Sequence, residues 1–230
     1  MTLLPLGRRE PTDWKHVEKY PLTALRTAPE NVPVAIGVNW YTAFDVPTKD
    51  AQGVYWIGLE AKKLGAVRGG HCVCLKPQSI TDGRGWWKYY DQGTEGACVG
   101  FGSSRMMSLL NRRRYDARWL YHQAQIVDGY PDTPPAEGTS VRAALDVLRT
   151  QGHVFATSTA QIARLSEGIT ANRWARTATE VLTALGTPGA EYVDVLNSWG
   201  AAYPKRVRMP AATLQRLLDE GGEAGIVTDR

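Results

Sequence analysis

The 230-residue chain is long enough for one domain or one two-lobed domain, and its 43% hydrophobic and 22% charged residues exclude a disordered or fibrous protein. Its net charge of +4 and sequence pI of about 9.0 come from scattered basic residues without an aromatic-plus-basic module, so no nucleic-acid partner is expected. The 3 cysteines include no Cys-x-x-Cys pair and no histidine stands at zinc spacing, which argues against a disulfide framework and a metal site, and for a reducing compartment or a free functional thiol.

Residues 1–30 are polar and proline-containing and predict an irregular N-terminal arm. Their start, MTLLPLGRREPTDWKH, has no charged stretch ahead of an apolar core. Neither a signal peptide nor a transmembrane segment is therefore expected, and no membrane partner; the expected location is the cytoplasm or a virus particle. Residues 32–41 are apolar and β-prone and predict a buried strand. A turn-rich loop at 45–53, a short strand at 54–58, a strand at 69–75 and a loop at 78–85 follow. The middle is helical. One helix starts at or just before Cys98 and runs to Arg113, with Arg112, Arg113 and Arg114 as its solvated end; a second covers about 116–126. After a loop at 131–138, Thr139 and Ser140 cap a helix whose Val141, Ala144, Leu145 and Leu148 share one face, and Gly152 stops it. A helix over about 177–185 ends at Gly186, strands follow at 192–196 and 206–209, then a helix at about 211–220 and a last strand at 224–227. A helical middle between β segments predicts an α+β fold.

The segment 91–101, DQGTEGACVGF, carries the sharpest chemistry. A cysteine in the first turn of a helix meets outward-pointing backbone N–H groups, and the helix dipole favours its thiolate. The preceding Gly93 and Gly96 let a substrate carbonyl approach the backbone. Gln92 can add a side-chain N–H to the Cys98 backbone N–H, which makes an oxyanion hole. A cysteine at a helix start also serves as a small buried residue; the glutamine and glycines beside it favour chemistry.

The Gln-to-Cys spacing, with Cys98 opening the helix, resembles the papain-like cysteine peptidases, although Val99 stands where the best-known members have Trp. Asn197-Ser198-Trp199-Gly200, after the strand at 192–196, resembles the tetrapeptide that ends a strand in that family. The resemblance implies that Asn197 orients a catalytic imidazole and that Trp199 shields that hydrogen bond from water. Val34 to Val38, leading through a loop and Gly69-Gly70 to His71, is similar to the family's β segment and implies that His71 is the general base. The helix after Thr139 is also similar, and the resemblance spans about residues 32–228. It implies a helical lobe packed against an antiparallel β lobe with the cleft between them. It divides the chain into an arm at 1–30 and one domain at 31–230, made of a His-bearing β segment at 31–80, a helical part with Cys98 at 85–187 and a C-terminal β part with Asn197 at 190–230.

The chain order departs from the family. The usual order is Cys, His, Asn; here it is His71, Cys98, Asn197, as though the His-bearing segment had moved ahead of the nucleophile. Triads recur in unrelated chain orders because geometry performs the chemistry. His153 keeps the usual order and is the alternative base, but it follows a helix stop and lacks a strand pattern. His122 is expected in the core or at its boundary, His16 in the arm, and Arg206 and Arg208 in solvent. The expected activity is thiol-protease hydrolysis of a peptide or isopeptide bond in a peptide or protein substrate, with peptidoglycan peptides and conjugated proteins both open and no cofactor or metal. The alternative is a catalytically inactive papain-like module for binding or assembly, for example a viral structural or host-interaction protein. The oligomeric state is not legible.

Overall fold

The computed structural model describes residues 31–80, 90–129, 137–155, 164–165 and 167–229. The expected arm at 1–30 lies outside them, as do parts of the loops expected at 78–85 and 131–138. The architecture is α+β. Ten strands are described: β1 (Val34–Tyr41), β2 (Thr48–Lys49), β3 (Tyr55–Trp56), β4 (Val67–Lys76), β5 (His153–Val154), β6 (Arg164–Leu165), β7 (Ala171–Ala175), β8 (Tyr192–Leu196), β9 (Val207–Pro210) and β10 (Glu223–Asp229). Five helices accompany them: α1 (Cys98–Asn111), α2 (Ala117–Val127), α3 (Val141–Thr150), α4 (Ala178–Ala184) and α5 (Ala211–Asp219).

Eight strands form one sheet in the order β2-β3-β9-β8-β4-β1-β10-β7, and β5 and β6 form a separate pair. Every pairing in the large sheet is antiparallel except β3 with β9. β8 and β4 are at its centre with β1 beside β4, and β1 is buried along nearly its whole length because elements pack on both of its faces. The β1–β4 register pairs Gly37 with Cys72 and Val38 with His71. Gly37 faces Val141 of α3 and Cys72 faces Gly102 of α1, so these residues look toward the helices. Val38 and His71 therefore look to the opposite face, where Trp40 packs on the His71 ring at 4.6 Å between centroids.

α1 is buried from Cys98 to Leu110, and two glycines make that possible. A Cβ on Gly102 would stand 2.8 Å from the Cys72 sulfur of β4, and one on Gly100 would stand 2.6 Å from the Tyr121 Cβ of α2. The helix thus lies between the sheet and the other helices. Local signals set the remaining starts. Asp116 accepts from Arg118 N and Trp119 N at the head of α2, Ser140 from Ala143 N at α3, and Thr177 with Glu180 forms a capping box at α4.

Several expectations change. The helix from Cys98 ends at Asn111, with Arg112 in the left-handed region, and Arg112 to Arg114 are exposed. The loop at 45–53 contains β2, and β7 has no counterpart in the sequence reading. β7 is an edge strand, half-buried and polar over Ala171–Trp174, so it lacks an apolar alternation; its pairing with β10 makes it a strand. With β5 and β6 it places strands inside the part read as helical at 85–187. His122 is exposed, because α2 turns Leu120, Tyr121 and Ala124 inward. Arg206 and Arg208 do not simply face solvent: both pair with the buried Asp194 carboxylate, at 3.6 and 3.5 Å. Among the described residues no helix is long and apolar enough to cross a membrane.

The α1–α2 contact yields a stability test. Gly100→Ala gains about 1 kcal/mol of helix propensity. Its methyl, however, meets the Ala117 carbonyl and the Tyr121 backbone, which cannot rotate away. Overpacking of this kind costs about 1–3 kcal/mol, so Gly100→Ala should lower the urea midpoint of unfolding; an unchanged or raised midpoint would mean that α2 is not held this closely.

Candidate active site

The imidazole of His71 is met by the chain leaving β8 and by Trp40 of β1. β4 carries the ring and the chain leaving β8 carries Asn197. His71 Nε2 lies 2.8 Å from Asn197 Oδ1, across 126 residues of sequence. The Ser198 backbone N–H donates to the same oxygen at 2.7 Å, which fixes which end of the Asn197 amide is the oxygen. An amide oxygen only accepts, so Nε2 carries the proton and the neutral ring has its lone pair on Nδ1. That Nδ1 is buried and has no hydrogen-bond partner among the described residues.

The β4–β8 ladder runs Lys76↔Asp194, Leu75↔Val195, Cys74↔Leu196 and stops there. Residues 71–73 therefore have no ladder partner on the β8 side among the described residues. The backbone N–H groups of Cys72, Val99 and Cys98 draw the Cys98 thiol toward its anion. The Cys98 sulfur accordingly lies against β4 at the residue next to His71. No side chain caps α1 at Ala97, so the first N–H groups of the helix are not taken up by a cap.

Burial is the larger influence on both groups. It pushes the Cys98 thiol up to about 11. It pushes His71 down to about 4, against the opposing pulls of the Asn197 hydrogen bond and the Asp45 carboxylate. At neutral pH Cys98 is therefore a thiol and His71 a neutral imidazole.

The Gln92 loop is sewn to the Asn197 segment. Asp91 bridges Trp199, and Gln92 N donates to the Ser198 carbonyl at 2.9 Å. Gln92 Nε2 donates one hydrogen to the Glu95 carbonyl at 2.9 Å and carries a second. The Gln92 side chain is buried and its Oε1 has no partner among the described residues. Trp199 lies 5.1 Å from the His71 ring and 5.4 Å from Trp40, so two indoles border the imidazole.

The structure thus brings His71, Asn197, Trp199 and Gln92 together with the start of α1 at Cys98. His153 is elsewhere. Its Nε2 lies 2.8 Å from Ser104 Oγ, its Nδ1 accepts from Val154 N, and its ring stacks on Tyr115 at 4.6 Å. Burial alone pushes it down to about 3.

The sequence reading missed three participants. Trp40 was read only as part of a buried strand, although its Nε1 also donates to Asp45 Oδ1 at 3.2 Å. Asp45 itself, in a loop, acts on His71 through its charge. Arg105 is buried on α1 and donates from Nη1 to the Asn197 carbonyl at 2.8 Å. Only the last had a readable signal: an arginine within an otherwise small and apolar helix, two turns from Cys98. Among the described residues, no group of three or more His, Cys, Asp or Glu could hold a metal ion.

Comparison of the chain with protein-family models, with curated proteins and with solved structures finds no match.

The two buried histidines make stability depend on pH. Their folded values, about 4 for His71 and about 3 for His153, lie below the ordinary 6.5. The unfolded chain therefore binds protons below pH 6.5 that the folded chain refuses. The stability is fully present above 6.5 and is lost as pH falls toward 4 and 3. Between pH 7 and pH 5 each histidine should remove about 2 kcal/mol, read as a lower urea midpoint, and His153→Gln should remove about half of that dependence. Equal midpoints for the wild type at the two pH values would show that these rings are not held neutral.

Proposed function

We propose that the chain is a papain-like cysteine hydrolase that cleaves peptide or isopeptide amides through a thioester on Cys98. The observation that carries this reading is the hydrogen bond from His71 Nε2 to Asn197 Oδ1, which leaves the buried Nδ1 lone pair free, while the backbone N–H of the next residue, Cys72, draws on the Cys98 thiol. The arrangement of elements supports it as well. A buried helix headed by the cysteine packs on a mostly antiparallel sheet in which β4 carries the histidine and the chain leaving the neighbouring β8 carries the asparagine. The altered chain order is compatible with this, because β4 comes before α1 in sequence and still pairs with β8 after it.

His71 Nδ1 takes the Cys98 proton as the sulfur attacks the carbonyl carbon. The Cys98 backbone N–H and the second hydrogen of Gln92 Nε2 receive the oxyanion. His71 returns the proton to the leaving amine, the C–N bond breaks, and the acyl group remains as a thioester. Water, deprotonated by His71, then releases the acid and restores the thiol. Asn197 holds the ring in the tautomer this sequence needs, and Trp199 keeps water from their bond.

A second reading is a protein that keeps this fold for binding or assembly without turnover. It is favoured by one observation: Cys98 is only 7% exposed and burial pushes its thiol up rather than down.

Labelling with iodoacetamide near neutral pH, read by mass spectrometry, separates the two. A hydrolase should be alkylated at Cys98 much faster than at Cys72 or Cys74, both fully buried and with thiols pushed up, Cys74 to about 12. His71→Ala should slow the labelling of Cys98. Equal labelling of all three, or none at Cys98 in the folded protein, supports the binding module. A further check uses a quenched peptide library. Once a cleaved peptide is found, Gln92→Ala should lower kcat by roughly 10²–10³ with little change in the unfolding midpoint, the scale of one lost oxyanion donor. Normal turnover would reduce Gln92 to a structural role.

A further inference from the structure

The geometry points to Arg105 as a positioning residue: its guanidinium fixes the Asn197 main chain against the nucleophile helix and so aims the Asn197 amide at His71. The inference rests on the proposed Cys98–His71–Asn197 reading.

Three features of Arg105 set it apart. It is 2% exposed, yet no carboxylate pairs with it among the described residues. A buried cation without a counter-ion is costly and persists where the fold has a use for it. Its Nη1 donates to the Asn197 carbonyl at 2.8 Å, while its Nε has no partner among the described residues. Its guanidinium also lies over the Tyr90 ring, 5.5 Å from the centroid. Burial lowers the pKa of this group, but an arginine remains charged.

The placement explains the use. Arg105 follows Cys98 by seven residues, two turns along α1 and so on nearly the same face. Tyr90 directly precedes Asp91 and Gln92, and its hydroxyl is held between Ser108 of α1 at 2.9 Å and the Tyr115 backbone at 3.0 Å. One side chain therefore touches the segment that leads to the oxyanion glutamine and the residue that orients the base, and is anchored on the helix that carries the nucleophile. The β4–β8 ladder has already stopped at Leu196, so no ladder hydrogen bond holds the Asn197 carbonyl. Arg105 supplies that restraint. A charge-assisted bond to the carbonyl fixes the main chain, and with it the direction of the side chain one Cβ away.

The test reads the imidazole directly. In protein labelled with 15N-histidine, the His71 Nε2–H resonance should be present in the wild type, slow to exchange with water and in the Nε2–H tautomer. Arg105→Met, which keeps the apolar stem and removes the donors, should speed that exchange at least tenfold and mix the tautomers. Arg105→Lys, which keeps a charged donor but not the fork, should fall between them. Alkylation of Cys98 by iodoacetamide at pH 7 should slow in the same order, by roughly tenfold for Arg105→Met. In an Asn197→Ala background, Arg105→Lys should slow alkylation no further, because the residue acts through Asn197.

The inference is overturned if Nε2–H exchange and tautomer are unchanged in a folded Arg105 variant, even one with a lowered melting temperature. It is also overturned if the Arg105 and Asn197 effects on alkylation multiply independently. Should Arg105→Met not fold, Arg105→Lys alone is judged by the same exchange measurement. If wild-type Cys98 does not react at all, the hydrolase reading fails, while the His71 exchange data still decide whether Arg105 positions Asn197.

Discussion

The contact between His71 Nε2 and Asn197 Oδ1 joins two strands 126 residues apart, and the remainder of the site is arranged around it. An asparagine orients an imidazole only from beside it, so β4 and β8 must be neighbours. Antiparallel pairing makes them so, with Cys74 opposite Leu196. The ladder ends at that pair among the described residues. Just beyond it Asn197 reaches the ring, while the Cys72 N–H of the residue next to His71 draws the Cys98 thiol toward its anion.

A second constraint is the burial of α1. Gly100 and Gly102 bring the helix against both α2 and β4, which fixes where its first turn points. A helix held this tightly places Cys98 more reproducibly than a loop could. The same burial raises the thiol and lowers the imidazole, each toward its neutral form. In the proposed hydrolysis, enclosure opposes the first proton transfer and strengthens the interactions that would follow it: the ion pair, the hydrogen bonds of the helix start and the Gln92 amide. The two proposed readings differ in which side of this balance prevails.

The aromatic surroundings act in the same direction. Trp40 and Trp199 border the imidazole, Tyr203 packs edge-on against Trp199 at 5.2 Å, and Phe44 packs on Trp40 at 5.1 Å. Tyr203 donates its hydroxyl hydrogen to the Phe44 carbonyl at 2.9 Å, which ties the chain after Asn197 to the chain after β1. Asp45 accepts from Trp40 and pairs with Arg68, so a charged group stands behind the indole rather than against the ring. Segments from both ends of the described chain form this wall, and their association is non-local, which slows folding without forbidding it.

What the sequence alone determined was local. Spacing and caps marked α1 at Cys98, α3 behind Ser140 and the capping box at Thr177, because those signals act within a few residues. The α+β class was legible from the helical middle and its β flanks, and the motifs singled out Cys98, His71, Asn197, Gln92 and Trp199 one by one. The strand pattern and Gly69-Gly70 favoured His71 over His153, but only the tertiary structure shows His71 bonded to Asn197 and His153 stacked on Tyr115, since both rings are buried and each partner is distant in sequence. β7 was invisible for a similar reason: an edge strand of Ala, Asn and Arg has no periodicity until β10 pairs with it. Arg105 stood in the sequence as one charge in a buried helix. That its partner is a main-chain carbonyl 92 residues away is a property of the packed sheet and helix, because hydrogen bonds to backbone leave no complementary residue type to read.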